Sequence, residues 1–217
     1  MERFILHSDA NSFYASVECL YHPELAGKPV AVCGDPKERH GIVLTKNQLA
    51  KQTGVKTGEA IWQARQKCPD LVVVPPDYAL YSLFSRKMRA IYAQYTDRVE
   101  AYGLDENWLD ISESGMSEGK AARVADEIRA RVRRELGITV SVGVSFNKVF
   151  AKLGSDYKKP DATTLISLRN FRALIYPMPA GEMLYVGAHT GAKLREMGIL
   201  TIGDLADADC GLLHQRL

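Results

Sequence analysis

Short β-like runs and two long amphipathic stretches follow one another in this chain in an order that few topologies can accommodate. Phe4 to Ser8 is an apolar run closed by Asp9, the pattern of a buried strand whose end presents a carboxylate. Phe13, Tyr14, Val17 and Leu20 then fall on one face of a predicted helix. From Asp77, a candidate N-cap, Tyr81, Phe84, Met88, Ile91 and Tyr95 recur at helical spacing. The tyrosines among them are assigned to packing, because a stripe at this spacing is what a core face looks like. Arg98 to Tyr102 and Asn107 to Ile111 read as two strands, with Gly103-Leu104-Asp105-Glu106 at their connection. Ser117 to Leu136 places Ala121, Val124, Ile128, Val132 and Leu136 inward, has Gly137 as its stop, and leads into a strand from Ile138 to Ser145. Strand, helix, strand, strand, helix, strand is the ferredoxin-like order, so the expected fold class is α+β. Such a fold hosts many activities and does not by itself choose among them.

Two passages lie outside that core. Pro29 to Cys33 and Gly41 to Thr45 are β-rich, separated by the turn Gly34-Asp35-Pro36 and followed by a short helix closed by Gly54. Residues 20–75 are therefore expected to form a small α/β insertion after the first strand. Near the end, Leu165 to Pro179 reads as a linker-like passage, followed by short helices at Gly191 to Met197 and Ile202 to Ala206. Val186 to Leu194 resembles a helix-hairpin-helix, in which backbone amides at a glycine-rich turn hold a DNA phosphate.

Composition narrows the field without choosing within it. With 46% apolar and 25% charged residues, a chain of 217 has material for more than one core. A net charge of +2 is too mild to announce a nucleic-acid partner, whose footprint is a local basic stripe. Cys19, Cys33, Cys68 and Cys210 show no C-x-x-C spacing and no nearby histidine pair, which suggests neither a zinc site nor a disulfide framework. The apolar run at the amino terminus is too short for a signal peptide, and no stretch approaches the ~20 apolar residues that span a bilayer. A cytoplasmic, soluble protein without membrane contact is expected.

The acids carry the chemistry. In the ferredoxin-like topology Asp9, Asp105 and Glu106 converge at one edge of one sheet. An acidic pair in a hairpin is ordinarily a solvated turn. Here Glu106 is followed by Asn107-Trp108-Leu109-Asp110-Ile111, an alternating strand packed on one face, and Asp9 ends a run with little reason to end in an acid. Mg²⁺ takes oxygen ligands in octahedral geometry, and two such ions about 3.5–4 Å apart can activate an attacking hydroxyl and stabilise a leaving pyrophosphate. Three acids suffice for both.

The segments HSDANSFYASVE, GLDENWLDIS and SVGVSFNKVFAKLGSDYKKP together resemble the signature segments of Y-family lesion-bypass DNA polymerases, DinB-like branch (the ImpB/MucB/SamB family), in order and separation. The resemblance implies a palm (residues 1–10 and 77–166), inserted fingers (11–76) and a small helical thumb (167–217) at which the chain stops, without the family's little-finger domain. It implies two Mg²⁺ ions held by Asp9, Asp105, Glu106 and the backbone carbonyl of Ala10. Asn11, Ser12 and Phe13 would border the nucleotide, with Tyr14 as a steric gate under the sugar. Thr45, Gln48, Lys51 and Lys159 would meet the triphosphate, where a cation lowers the barrier electrostatically. Gly187, His189, Gly191 and Lys193 would meet DNA.

This sequence departs from the family pattern at several places. Gln48 and Lys51 stand where relatives commonly carry tyrosine and arginine, and a lysine does not replace a planar five-donor fork. Gly103-Leu104 replaces Ser-Ile, and Gly154 replaces alanine; both are expected to be tolerated. His189 takes the place of a second hairpin glycine, which puts close amide contact with a phosphate in doubt.

The implied activity is Mg²⁺-dependent, low-fidelity addition of deoxynucleotides to a primer 3′-end, by a monomer acting on primer-template DNA and deoxynucleoside triphosphates. A sliding clamp is expected through regions beyond this chain. The alternative is a DNA-binding relative with reduced or lost catalysis in the DNA damage response, motivated by Gln48, Lys51 and His189 and opposed by the three acids. A nucleotide cyclase would share the sheet and the acids but not the hairpin or the N-K-x-x-A-K segment.

Overall fold

The structure, a computed structural model, describes residues 3–35 and 41–217; Pro36 of the predicted turn lies outside the described residues. The larger of two sheets has five strands. At its centre is β1 (Ile5–Ala10), with β6 (Glu106–Asp110) and β7 (Val140–Ser145) antiparallel on either side. β5 (Val99–Tyr102) edges β6, and β8 (Thr163–Ile166) runs parallel to β7 at the far edge. All of β1 is buried, as its position between two strands and two helical layers requires.

One face of this sheet carries α4 (Tyr78–Tyr92) and α5 (Glu118–Leu136). Tyr81, Phe84, Met88, Ile128 and Val132 meet Leu6, Leu109, Val140, Val142 and Val144 in the main core, the stripe that the spacing predicts. Two caps are those predicted: Asp77 accepts from Leu80 N–H, and Gly137 ends α5 in a left-handed conformation; Ser117, read as the first residue of α5, is its N-cap and accepts from Lys120 N–H. The opposite face takes α6 (Lys148–Tyr157), with Ala151 packed on Ile5 and Trp108. That helix lies so close to β7 that a Cβ on Gly143 would overlap Ala151 O and Ser155 N.

The second sheet is the insertion. β2 (Val30–Cys33) lies between β3 (Val43–Lys46) and β4 (Val72–Val74), covered by α2 (Gln48–Gln52) and α3 (Ile61–Lys67) over a core of Ala31, Val43, Ala50, Ile61 and Leu71. The sequence reading foresees one helix here; α3 and β4 are too short for periodicity to reveal. α1 (Phe13–Tyr21) packs beside β2, β3 and α4, joining the two sheets.

The linker-like reading of Leu165 to Pro179 is corrected. The passage holds the end of β8 and a helix, α7 (Phe171–Ile175), whose Ile175 is buried with Leu153, Ile166 and Ile202. Its prolines follow α7 and do not interrupt it. The last helices are α8 (Ala188–Glu196), α9 (Ile202–Asp207) and an unforeseen α10 (Cys210–Arg216). No helix among the described residues is long and apolar enough to cross a membrane.

Candidate active site

The acids meet through strand register. Asp9 stands opposite Glu106 in the β1–β6 ladder, so both carboxylates leave the same face at the same end of the sheet. The β5–β6 hairpin closes at Tyr102 and Glu106, which leaves Gly103, Leu104 and Asp105 as its loop. Gly103 has φ 72°, a conformation that costs glycine no Cβ clash, so the departure from Ser-Ile suits the hairpin as built. Ala10 N–H donates to Asp105 O at 3.2 Å and ties the loop to the end of β1.

Lys159, expected at the triphosphate, joins the cluster with two groups that the sequence reading did not single out, Lys152 and His7. Lys152, on α6, donates to Glu106 Oε2 and lies 3.9 Å from both Asp9 Oδ2 and Asp156 Oδ2. Lys159 Nζ lies 2.6 Å from Asp9 Oδ2 and 2.7 Å from Asp156 Oδ1. His7, two residues before Asp9 and therefore on the same face, lies 3.0 Å from Glu106 Oε2 through Nε2. The N-K-x-x-A-K segment belongs to the family resemblance; that its second lysine faces the acids depends on α6 crossing this face of the sheet.

Burial, then the charges of Asp9 and Glu106, push the Asp105 carboxyl up to about 6. Burial also raises Asp9, against the pull of Lys159. Glu106 goes the other way: burial is outweighed by His7 and Lys152, which hold it down to about 2. Like charges crowded in a half-dry site stabilise an added hard cation, and all the donors are hard oxygens, so the residues fit a divalent ion. Among the described residues no three His, Cys, Asp or Glu side chains are yet gathered as chelation needs.

The residues expected at the nucleotide divide in two. Tyr14 is half-buried, stacked on Tyr81 at 4.2 Å, with its pKa raised by burial and then by the Asp105 charge, which places it beside the acids. Ser12 caps α1 in a left-handed conformation without using its side chain. Asn11, however, spends both ends of its amide on β7 and the residue before it, donating to Thr139 Oγ1 and accepting from Ser141 Oγ, while Phe13 is buried in the main core. Of these two only the Phe13 backbone remains for a ligand, because Asn11 N–H donates to Thr139 O and Asn11 O accepts from Ser16 Oγ. Thr45, Gln48 and Lys51 lie on β3 and α2 of the smaller sheet, without a hydrogen bond or ion pair to the acids among the described residues. Lys46 belongs with them: its pKa is lowered by burial and then by Lys51.

In the helical region the structure moves the critical turn. Gly187 is the N-cap of α8, which puts His189 inside the helix, and the left-handed residue is Tyr185, with φ 70°. The glycine shortfall attributed to His189 is thus felt at Tyr185. Gly191 is buried in α8 beside Gly181, and Lys193 Nζ donates to Arg216 O at 3.2 Å.

A ferredoxin-like sheet that gathers Asp9, Asp105 and Glu106 at one end of its central strands, with an α/β insertion between the first strand and α4, defines the class of this chain. The impB/mucB/samB family model matches residues 8–156, and the chain belongs to that family. "DNA polymerase IV" of Acetivibrio thermocellus is 58% identical over the whole chain, which covers 54% of that relative. "DNA polymerase IV 1" of Bacillus subtilis is 46% identical over 95% of the chain and 50% of its own length. The crystal structure of DinB from Sulfolobus solfataricus superposes with a TM-score of 0.89 at 27% identity, over 98% of this chain and 62% of that one. The expected Y-family, DinB-like kinship and the α+β fold are thereby borne out. The chain spans about half the length of the curated relatives it matches.

Proposed function

We propose that this chain is the catalytic portion of a template-directed, low-fidelity DNA polymerase of the lesion-bypass Y family. The observation that carries the reading is the register of Asp9 against Glu106, with Asp105 beside them, at one end of the sheet. In this reading the five-stranded sheet with α4 and α5 is the palm, the smaller sheet the fingers, and the helices after β8 the thumb.

Asp9, Asp105, Glu106 and the carbonyl of Ala10 would hold two Mg²⁺ ions, which when bound favour the primer alkoxide and neutralise the triphosphate. Lys159, which lies on Asp9 and Asp156, would be the cation to meet the triphosphate once the acids held metal ions. Tyr14 would place its ring under the sugar, where a ribose 2′-hydroxyl would collide. Lys51 and Lys46, with Thr45 and Gln48, would meet the outer phosphates. The free amides at the start of α8, after Gly187, would take a DNA phosphate near His189. Primer-template DNA and deoxynucleoside triphosphates are the partners, with the protein acting as a monomer in the cytoplasm and a sliding clamp engaged by sequence outside this chain.

Primer extension tests the reading, with Mg²⁺ and four nucleotides, on this chain, on any longer form of the protein, and on Asp105→Ala with Glu106→Ala in each. Extension that the double substitution abolishes supports it. DNA binding without extension by the longer form would shift the reading to a non-catalytic relative, in which Gln48 and Lys51 mark a lost nucleotide site.

A further inference from the structure

Glu106 has two carboxylate oxygens, and its neighbours treat them differently. Lys152 Nζ donates to Oε2, and His7 Nε2 lies 3.0 Å from the same atom. Oε1 has no hydrogen bond or ion pair among the described residues. An oxygen flanked by an ammonium and an imidazole has little left to offer a metal ion, whereas Oε1 has its full capacity.

His7 is held from behind. Its ring is fully buried, with Nδ1 2.9 Å from Ser155 Oγ and Trp108 tilted against it at 4.9 Å. Ser155 Oγ also lies 2.7 Å from Lys152 O, and Trp108 Nε1 donates to Lys148 O at 3.0 Å, so ring and cage are tied to the helix that supplies Lys152. Nε2 has no aligned hydrogen-bond partner. A buried nitrogen in that state is costly. A core histidine satisfied by Ser155 accounts for Nδ1 and leaves Nε2, aimed at Glu106, without a purpose. Contacts of this kind commonly tighten only when the ligand arrives.

We propose that His7 and Lys152 are positioning residues: by holding Oε2 they make Glu106 a one-oxygen ligand, with Oε1 alone presented to a divalent cation. This rests on the reading of the three acids as a metal site. A single oxygen suits the small octahedral shell of Mg²⁺, while a carboxylate free to offer both oxygens suits the larger Ca²⁺. The pair therefore sets which ion is preferred as well as how tightly it is held.

The test displaces Tb³⁺, followed by its luminescence on the 217-residue chain, with Mg²⁺ or with Ca²⁺, and measures metal-free thermal unfolding of each variant. His7→Phe keeps the ring and removes Nε2, Lys152→Met keeps the stem and removes the charge, and His7→Gln restores a donor. His7→Phe and Lys152→Met should each weaken Mg²⁺ by roughly ten-fold or more, as loss of a ligand-orienting contact does. Ca²⁺ should change less, and His7→Gln should recover part of the Mg²⁺ preference. If both variants keep the wild-type ratio of Mg²⁺ to Ca²⁺ affinity, the proposal is wrong, whatever happens to their melting temperatures. If Tb³⁺ binding survives Asp105→Ala, the metal-site reading itself fails and takes this proposal with it.

Discussion

Tyr185 shows how much one backbone angle can hide from a sequence. An aromatic residue at φ 70° pays for a Cβ that crowds the backbone, and this side chain is 81% exposed, so burial returns little. Its polar neighbour is Tyr102, whose pKa it raises. Tyr185→Gly and Tyr185→Ala both remove the ring, but only glycine also removes the Cβ. Glycine is expected to be the more stable of the two by about 1 kcal/mol in urea unfolding; equal stabilities would mean that the turn relaxes out of the left-handed region. The hairpin motif was legible as a glycine-rich stretch, yet its phase was not, because that depends on where α8 begins. His7 and Lys152 escaped notice for a similar reason. A histidine in an apolar strand and a lysine in a helix are unremarkable until register and helix crossing set both against one carboxylate oxygen.

Among the elements, α6 on β7 is the contact most sensitive to a single methyl group. A Cβ at Gly143 would run into Ala151 O and Ser155 N, backbone atoms with nowhere to go. At Gly154, directly across, it would meet Gly143 Cα at 3.0 Å and Ile166 Cδ1 at 3.1 Å, tight but partly against a flexible side chain. Gly154→Ala also gains about 1 kcal/mol of helix propensity. Gly143→Ala is therefore expected to cost about 3 kcal/mol or more, and Gly154→Ala to fall within about 1 kcal/mol of zero, in equilibrium unfolding. A Gly143→Ala protein of unchanged stability would show that α6 can lift from the sheet. Because α6 carries both Lys152 and Ser155, such lifting would loosen the acid cluster as well. The helices α4 and α5 were readable because each runs four turns or more with an amphipathic stripe and a cap. β8 and α7 were not, since each is short and two prolines follow α7.

At the scale of the whole molecule, charge is sorted in a way that the small net value conceals. The arginines of α5 are largely spent within the fold: Arg129 on Asp126 and Asp161, Arg131 and Arg134 on Glu135, Arg133 on Asp161. Lys46 and Lys51 form the opposite case: the Lys46 pKa is lowered by burial and then by Lys51, and Lys51 has no ion pair among the described residues. An incoming anion relieves that repulsion, whereas at α5 it would have to displace carboxylates already in place. Single-nucleotide primer extension separates the two surfaces. Lys46→Ala with Lys51→Ala is expected to raise the KM for the nucleotide by about ten-fold, the size of one lost charge-assisted hydrogen bond, with the effect shrinking as salt rises. Arg133→Ala with Arg134→Ala should leave that KM unchanged. If the arginine pair raises KM as much as the lysine pair does, the triphosphate is being drawn by the general field of the protein, and the assignment of α2 as its binding helix falls.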